Sequence, residues 1–229
     1  MANTIAHLMV AQRILSKKPD FVQDRDSYYM GCIAPDTISS MDGWTRDDKK
    51  ITHLRLGIPD LEWLQEHRMQ CFTERVRDFA ALHLDRSAVA AGQLDFNIGY
   101  MVHLLTDKWN HKTVRQTEIK EANKIGIQDG EPAFYRLILN DLDALDNYLL
   151  DSYPHIRRLF EELMEKPVLY DIPELIKKEY IEKSKLWWQN TYLPMIKEEK
   201  LRCLTPQVIE DFIELAATEI IKEFDSFPV

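Results

Sequence analysis

The segment Gly99-Tyr-Met-Val-His103-Leu-Leu-Thr-Asp107-Lys-Trp-Asn-His111 sets two imidazoles and a carboxylate four residues apart inside an apolar run. At helical pitch each four-residue step turns about 40° and rises about 6 Å, so His103, Asp107 and His111 line one face. Ile98, Val102, Leu105 and Trp109 line the opposite face, while Met101 and Leu104 fill much of the circumference between them. Such a helix is buried nearly all round and demands neighbours on every side. An ionised carboxylate there costs several kcal/mol unless it has a partner. Something has to neutralise Asp107, and the flanking histidines point to a metal ion. His111 lies about 12 Å along the axis from His103, so the two do not share one ion. As a ligand, His111 serves a second ion that Asp107 bridges.

The rest of the chain reads as helix after helix. Runs of alternating β-branched residues are nearly absent, and seven glycines punctuate 229 residues. Thr4 caps a first helix to about Ser16, with Ile5, Leu8, Met9, Gln12 and Leu15 giving its spacing. Residues 19–58, with Gly31, Pro35, Gly43 and Gly57, read as a loop-rich stretch. Pro59 suits the first turn of a helix ending near His83, and Ser87 opens the ligand-bearing helix. Pro132, Pro154, Pro173 and Thr205-Pro206 start four more, the last with an apolar stripe at Ile209, Phe212, Ile213, Ala216 and Ile220. We expect one all-α domain, a multi-helix bundle spanning residues 1–229.

Composition excludes several classes. No apolar run approaches the roughly 20 residues that span a bilayer. Met1-Ala-Asn-Thr offers neither a basic n-region nor an apolar stretch of signal-peptide type. Cys32, Cys71 and Cys203 are odd in number and scattered, which argues against a disulfide framework and for a reduced, cytoplasmic protein. A net charge of −9 argues against broad binding to nucleic-acid backbones.

Further ligand-type residues lie far away in sequence, as a site assembled by folding requires. His7 sits in the first helix, Asp36 ends Gly31-Cys-Ile-Ala-Pro35-Asp36, and His53 follows Thr52. Taken singly, His7 reads as a surface residue, Asp36 as a helix cap and His53 as a loop histidine. Taken in order, Thr4-x-x-His7, Gly31-x-Ile-Ala-Pro-Asp36, Thr52-His53-Leu and Gly99-Tyr-x-x-His103-x-x-x-Asp107 resemble the zinc-dependent phospholipase C family, related in fold to the P1-type nucleases. The resemblance covers about the first half of the chain; residues 112–229 carry no matching motif.

The resemblance implies an all-α fold of that type and a cluster of catalytic ions that hydrolyses phosphate esters. It assigns Asp36, His53, His103 and Asp107 to one ion and His7 to a neighbouring one, with Asp107 bridging. Secreted members also use a freed N-terminal amino group and a downstream His-x3-Glu pair. Here His111 precedes Arg115 and His155 precedes Leu159, so we expect one or two ions, with His111 as a replacement ligand. The mixed nitrogen and oxygen set suits zinc, with iron or manganese as alternatives.

Two ions a few Å apart supply hydroxide near neutral pH and offset charge on a phosphoryl oxygen. Asp36, beside that water, is the candidate to take or orient its proton. Asp141, Asp143 and Asp146 offer additional carboxylates, although a solvated helical face explains them more simply. Lys108 and Arg115 are candidates for phosphate contact or for surface ion pairs. The expected substrate is a small soluble phosphoester. A phospholipid-specific phospholipase C and a non-catalytic helical protein with a structural metal are the alternatives.

Overall fold

A computed structural model describes residues 3–195 and 201–227. The chain runs through α1 (Thr4–Lys17), α2 (Arg25–Ile33), α3 (Arg46–Thr52), α4 (Glu66–His83), α5 (Ala91–Lys112), α6 (Val114–Lys124), α7 (Pro132–Ser152), α8 (Pro154–Glu165), α9 (Lys178–Trp187), the single turn α10 (Leu193–Met195) and α11 (Pro206–Asp225). Among the described residues no strand forms, and the one β-type pairing is an isolated bridge between Ile172 and Ile176. The expected all-α bundle is what the chain adopts. Its main core draws on residues from Ile5 to Phe224. No described helix is long and apolar enough to cross a membrane.

α5 is the central strut. From Leu94 to Lys108 every residue is buried, as its apolar circumference predicts. α2 packs along it more extensively than any other helix pair packs, and α11 and α1 add further contacts. The stretch expected to be loop-rich contains this principal partner. Asp24 caps α2 by accepting from the Ser27 amide at 3.1 Å, and the Ser27 hydroxyl returns a 2.6 Å bond to the same carboxylate. α3 is opened by a capping box in which Thr45 and Asp48 satisfy each other's amides. Side-chain caps at Asp24 and Thr45 make short helices of a stretch whose Gly and Pro content suggests a loop.

Other boundaries shift for local reasons. Asn3, not Thr4, is the residue before α1, and its side-chain amide donates to the Leu142 carbonyl at 2.9 Å. Pro59 begins only a 3-10 turn, Asp60–Glu62, and α4 starts at Glu66. Ser87 is held in a turn by Asp85, so α5 starts at Ala91. Pro173 lies in the turn closed by the Ile172–Ile176 bridge, and the next helix opens at Lys178. The final helix begins as expected, with Thr205 capping the Val208 amide and Pro206 in the first turn.

Candidate metal centre

Four separate segments bring the site together. α5 presents His103 and Asp107 one turn apart, and α1 presents His7 against them. The 3-10 turn Ala34–Ser40, continuing directly from α2, carries Asp36. His53 is the C-cap residue of α3. Two contacts hold α3 in place: the Tyr100 hydroxyl donates to the Thr52 carbonyl at 2.5 Å, and the Thr52 hydroxyl donates to the Pro35 carbonyl at 3.0 Å. The second of these ties the His53 segment to the Asp36 turn.

Ligand atoms from these segments converge. His53 Nε2 stands 3.3 Å from Asp36 Oδ1, 3.6 Å from Asp107 Oδ2 and 3.2 Å from His103 Nε2. His7 Nε2 stands 3.6 Å from Asp107 Oδ1, and its ring stacks on His103 with centroids 3.6 Å apart. Atoms bound tetrahedrally at about 2.1 Å to one ion sit about 3.4 Å apart. Two groups within metal-ligating reach result, His7–His103–Asp107 and Asp36–His53–His103. The two oxygens of Asp107 face different histidines, which is the arrangement a bridging carboxylate needs.

Tautomers follow from the outer contacts. His103 Nδ1 lies 2.8 Å from the Cys32 carbonyl, and His53 Nδ1 lies 2.8 Å from the Lys49 carbonyl. A carbonyl only accepts, so both Nδ1 atoms carry hydrogen and both Nε2 atoms turn lone pairs inward. Two lone pairs 3.2 Å apart, beside two carboxylates, repel unless a positive charge lies among them. A protonated imidazole is the ordinary source of that charge. Burial opposes it, pushing His53 down to about 4 against the pull of Asp36, and His7 down to about 3. Both ring nitrogens of His7 are buried with no hydrogen-bond partner among the described residues. A divalent cation satisfies these groups together, so the residues fit a metal.

The carboxylates are kept ionised. Burial would raise both, but the Lys49 ammonium, 2.9 Å from Asp36 Oδ1, and the nearby histidines hold Asp36 well below the usual carboxylate range. Burial raises Asp107 as well, but its surroundings, His7, His103 and His53 among them, outweigh that and keep its carboxyl low. His7, His53, His103 and Asp107 are each 1% exposed, and Asp36 with Lys49 forms the more open edge.

The remaining candidates fall elsewhere. His111 joins neither ligand group; its ring packs on Trp63 at 4.1 Å, one turn past Asp107. Asp141 and Asp146 do not lie on a solvated face, since both are fully buried, and neither belongs to a ligand group. Asp141 accepts backbone amides of Arg202 (2.8 Å), Cys203 (2.6 Å) and Leu204 (3.2 Å), a structural clasp. Asp146 accepts from the Tyr192 hydroxyl at 2.7 Å, and burial pushes its carboxyl up to about 8. Asp143 is exposed. Lys108 pairs with Glu223 at 2.7 Å.

Lys49 was not anticipated. It lies four residues before His53, a spacing that puts both on one helical face, and that is the signal it offered. Met1, whose amino group bears on the secreted-type ligand, lies outside the described residues. No family model, curated protein or solved structure matches this chain.

Proposed function

We propose that this chain is a metal-dependent phosphoesterase of the zinc-dependent phospholipase C type, acting on a small phosphate ester. The observation that carries the reading is the pair of inward-facing Nε2 lone pairs of His53 and His103, 3.2 Å apart and flanked by Asp36 and Asp107. Asp36, His53, His103 and Asp107 would hold one ion, and His7 with the second oxygen of Asp107 a neighbouring one. Zinc suits the set best, with iron or manganese as the alternatives. When bound, such ions lower the pKa of a coordinated water and polarise a phosphoryl oxygen.

The chain's own groups do the rest. Asp36, at the open edge, accepts or orients the proton of the attacking water. Lys49, beside it, offsets charge on the phosphoryl oxygens. Burial keeps His7 and His53 neutral at physiological pH, so both remain available as ligands. Free thiols at Cys32, Cys71 and Cys203 fit a reducing, cytoplasmic setting.

A second reading, a phospholipid-specific phospholipase C, draws on Trp44 and Leu139, exposed apolar residues in the wall of the cavity beside Lys49. A third, a structural ion in a non-catalytic bundle, draws on the near-complete burial of four ligands. Elemental analysis of protein purified without chelator, followed by assays on bis(p-nitrophenyl) phosphate and on phosphatidylcholine vesicles, tests all three. We expect at least one ion per chain and turnover of the soluble diester. Failure to retain zinc, iron or manganese would overturn the metal centre. An ion without turnover of either substrate would leave it structural.

A further inference from the structure

Beside the metal centre lies a cavity of about 310 Å³ whose wall includes Arg46, Lys49, Lys50, Arg55 and Arg115, against the single carboxylate Asp60. The lining is thus rich in cationic side chains in a chain of net charge −9. Lys49 belongs to both places: it lines the cavity and pairs with Asp36 at 2.9 Å. The carboxylates that balance the other cations stand mostly outside the lining. Lys50 pairs with Asp47 at 3.4 Å, and Arg115 pairs with Asp129 at 2.7 Å and Glu118 at 3.6 Å. Asp60 serves both Arg55, at 3.1 Å, and Arg46, at 3.8 Å.

Two guanidiniums are pre-set. Arg55, 3% exposed, stacks over Trp63 at 4.1 Å, and Arg115 stacks over Phe134 at 4.2 Å. Rings that fix a guanidinium plane lower the entropy lost when its fork grips an anion. His111 also lines the cavity, and its buried Nδ1 has no hydrogen-bond partner among the described residues. Trp44 and Tyr135 add aromatic wall.

We infer that this cavity receives a second anionic group of the substrate, carried away from the scissile phosphate on a molecule that also bears a flat ring system. The inference rests on the phosphoesterase reading for which phosphate is cleaved, and it narrows the substrate class to small soluble bisphosphates of nucleotide-like shape. Lys49 stands at the junction, between Asp36 and the second anion.

The test compares adenosine 3′,5′-bisphosphate with adenosine 5′-monophosphate by calorimetry, on protein as purified and again after chelator treatment. The bisphosphate should bind about tenfold tighter, the worth of one charge-assisted hydrogen bond, and should keep that advantage without metal. Arg46→Ala combined with Lys50→Ala should abolish the advantage and leave the monophosphate unchanged. Arg46 is largely exposed and pairs only loosely, so the double variant should fold; circular dichroism checks this, and Arg46→Ala alone should still reduce the advantage. Equal affinities for the two ligands, or an advantage that survives both variants, overturns the inference. Vesicles of phosphatidic acid and phosphatidylcholine that co-sediment with wild type but not the double variant overturn its soluble-ligand form. A bisphosphate preference in a chain that neither retains metal nor hydrolyses esters would sink the enzymatic reading while leaving the anion cavity standing.

Discussion

Gly31 and Gly99 pack reciprocally: a Cβ on Gly31 would overlap the Phe96 carbonyl of α5, and a Cβ on Gly99 would overlap the Tyr28 carbonyl of α2. The two helices therefore meet backbone to backbone. The contact puts the Cys32 carbonyl within 2.8 Å of His103 Nδ1 and leads the chain straight into the Asp36 turn. Both glycines belong to the motifs that suggested a metal site, and their task is to bring the ligand-bearing segments together.

Gly99→Ala should consequently cost at least about 2 kcal/mol, because neither backbone can yield without moving its helix. Denaturant unfolding measures this. The displaced Cys32 carbonyl should also loosen His103, so metal content should fall together with stability. An alanine variant as stable as wild type would contradict the packing.

Asp107→Asn keeps the shape of the side chain and removes its charge. If Asp107 bridges two ions, the purified variant should carry at least one ion fewer per chain and lose most diester hydrolysis. It should also melt lower, because metal binding to a folded site contributes to folding. Elemental analysis of wild type and variant prepared side by side decides, and equal metal content refutes the bridge.

Chelator-treated protein should lose stability as pH falls from about 6.5 toward about 4. Burial sets the folded-state pKa of His53 at about 4 and of His7 at about 3, below the ordinary 6.5. The unfolded chain then binds more protons in that window, so this contribution is fully present above about 6.5 and fades on acidification. Asp36 acts in the same direction, but only below its ordinary 3.8, since its folded pKa is depressed. Urea unfolding at pH 7 and pH 5 measures the slope. His53→Gln should flatten it, and a stability that rises toward pH 5 would show the histidines charged in the folded state.

Asp141→Asn separates scaffold from site. Its carboxylate accepts three backbone amides, two of them within 2.8 Å, in a fully buried position. The amide offers one acceptor oxygen and an opposed NH2, so stability should drop by about 1–3 kcal/mol. Metal content and diester hydrolysis per folded molecule should not change. A selective loss of metal would return Asp141 to the site.

The all-α class and the buried central helix were legible in the residues alone, because three ligand-type side chains at four-residue spacing within an apolar run admit one local geometry. His7, Asp36, His53, His103 and Asp107 were also legible as candidates, through short motifs whose order along the chain could be compared with a family pattern. Their mutual distances were not, since they depend on how α1, α2 and α3 pack on α5. The same limit applies to the residues that fall outside the two ligand groups. His111 shares a helical face with Asp107, yet the packing gives that position to Trp63 as its neighbour and opens it onto the basic cavity. Asp141 and Asp146 looked solvated because periodicity cannot tell a polar face in water from one buried against amides and a tyrosine. Local sequence set which face of each helix carries chemistry. Tertiary structure alone decided which faces meet, because that choice rests on contacts between residues as far apart as Cys32 and His103, and on glycines that let two backbones touch.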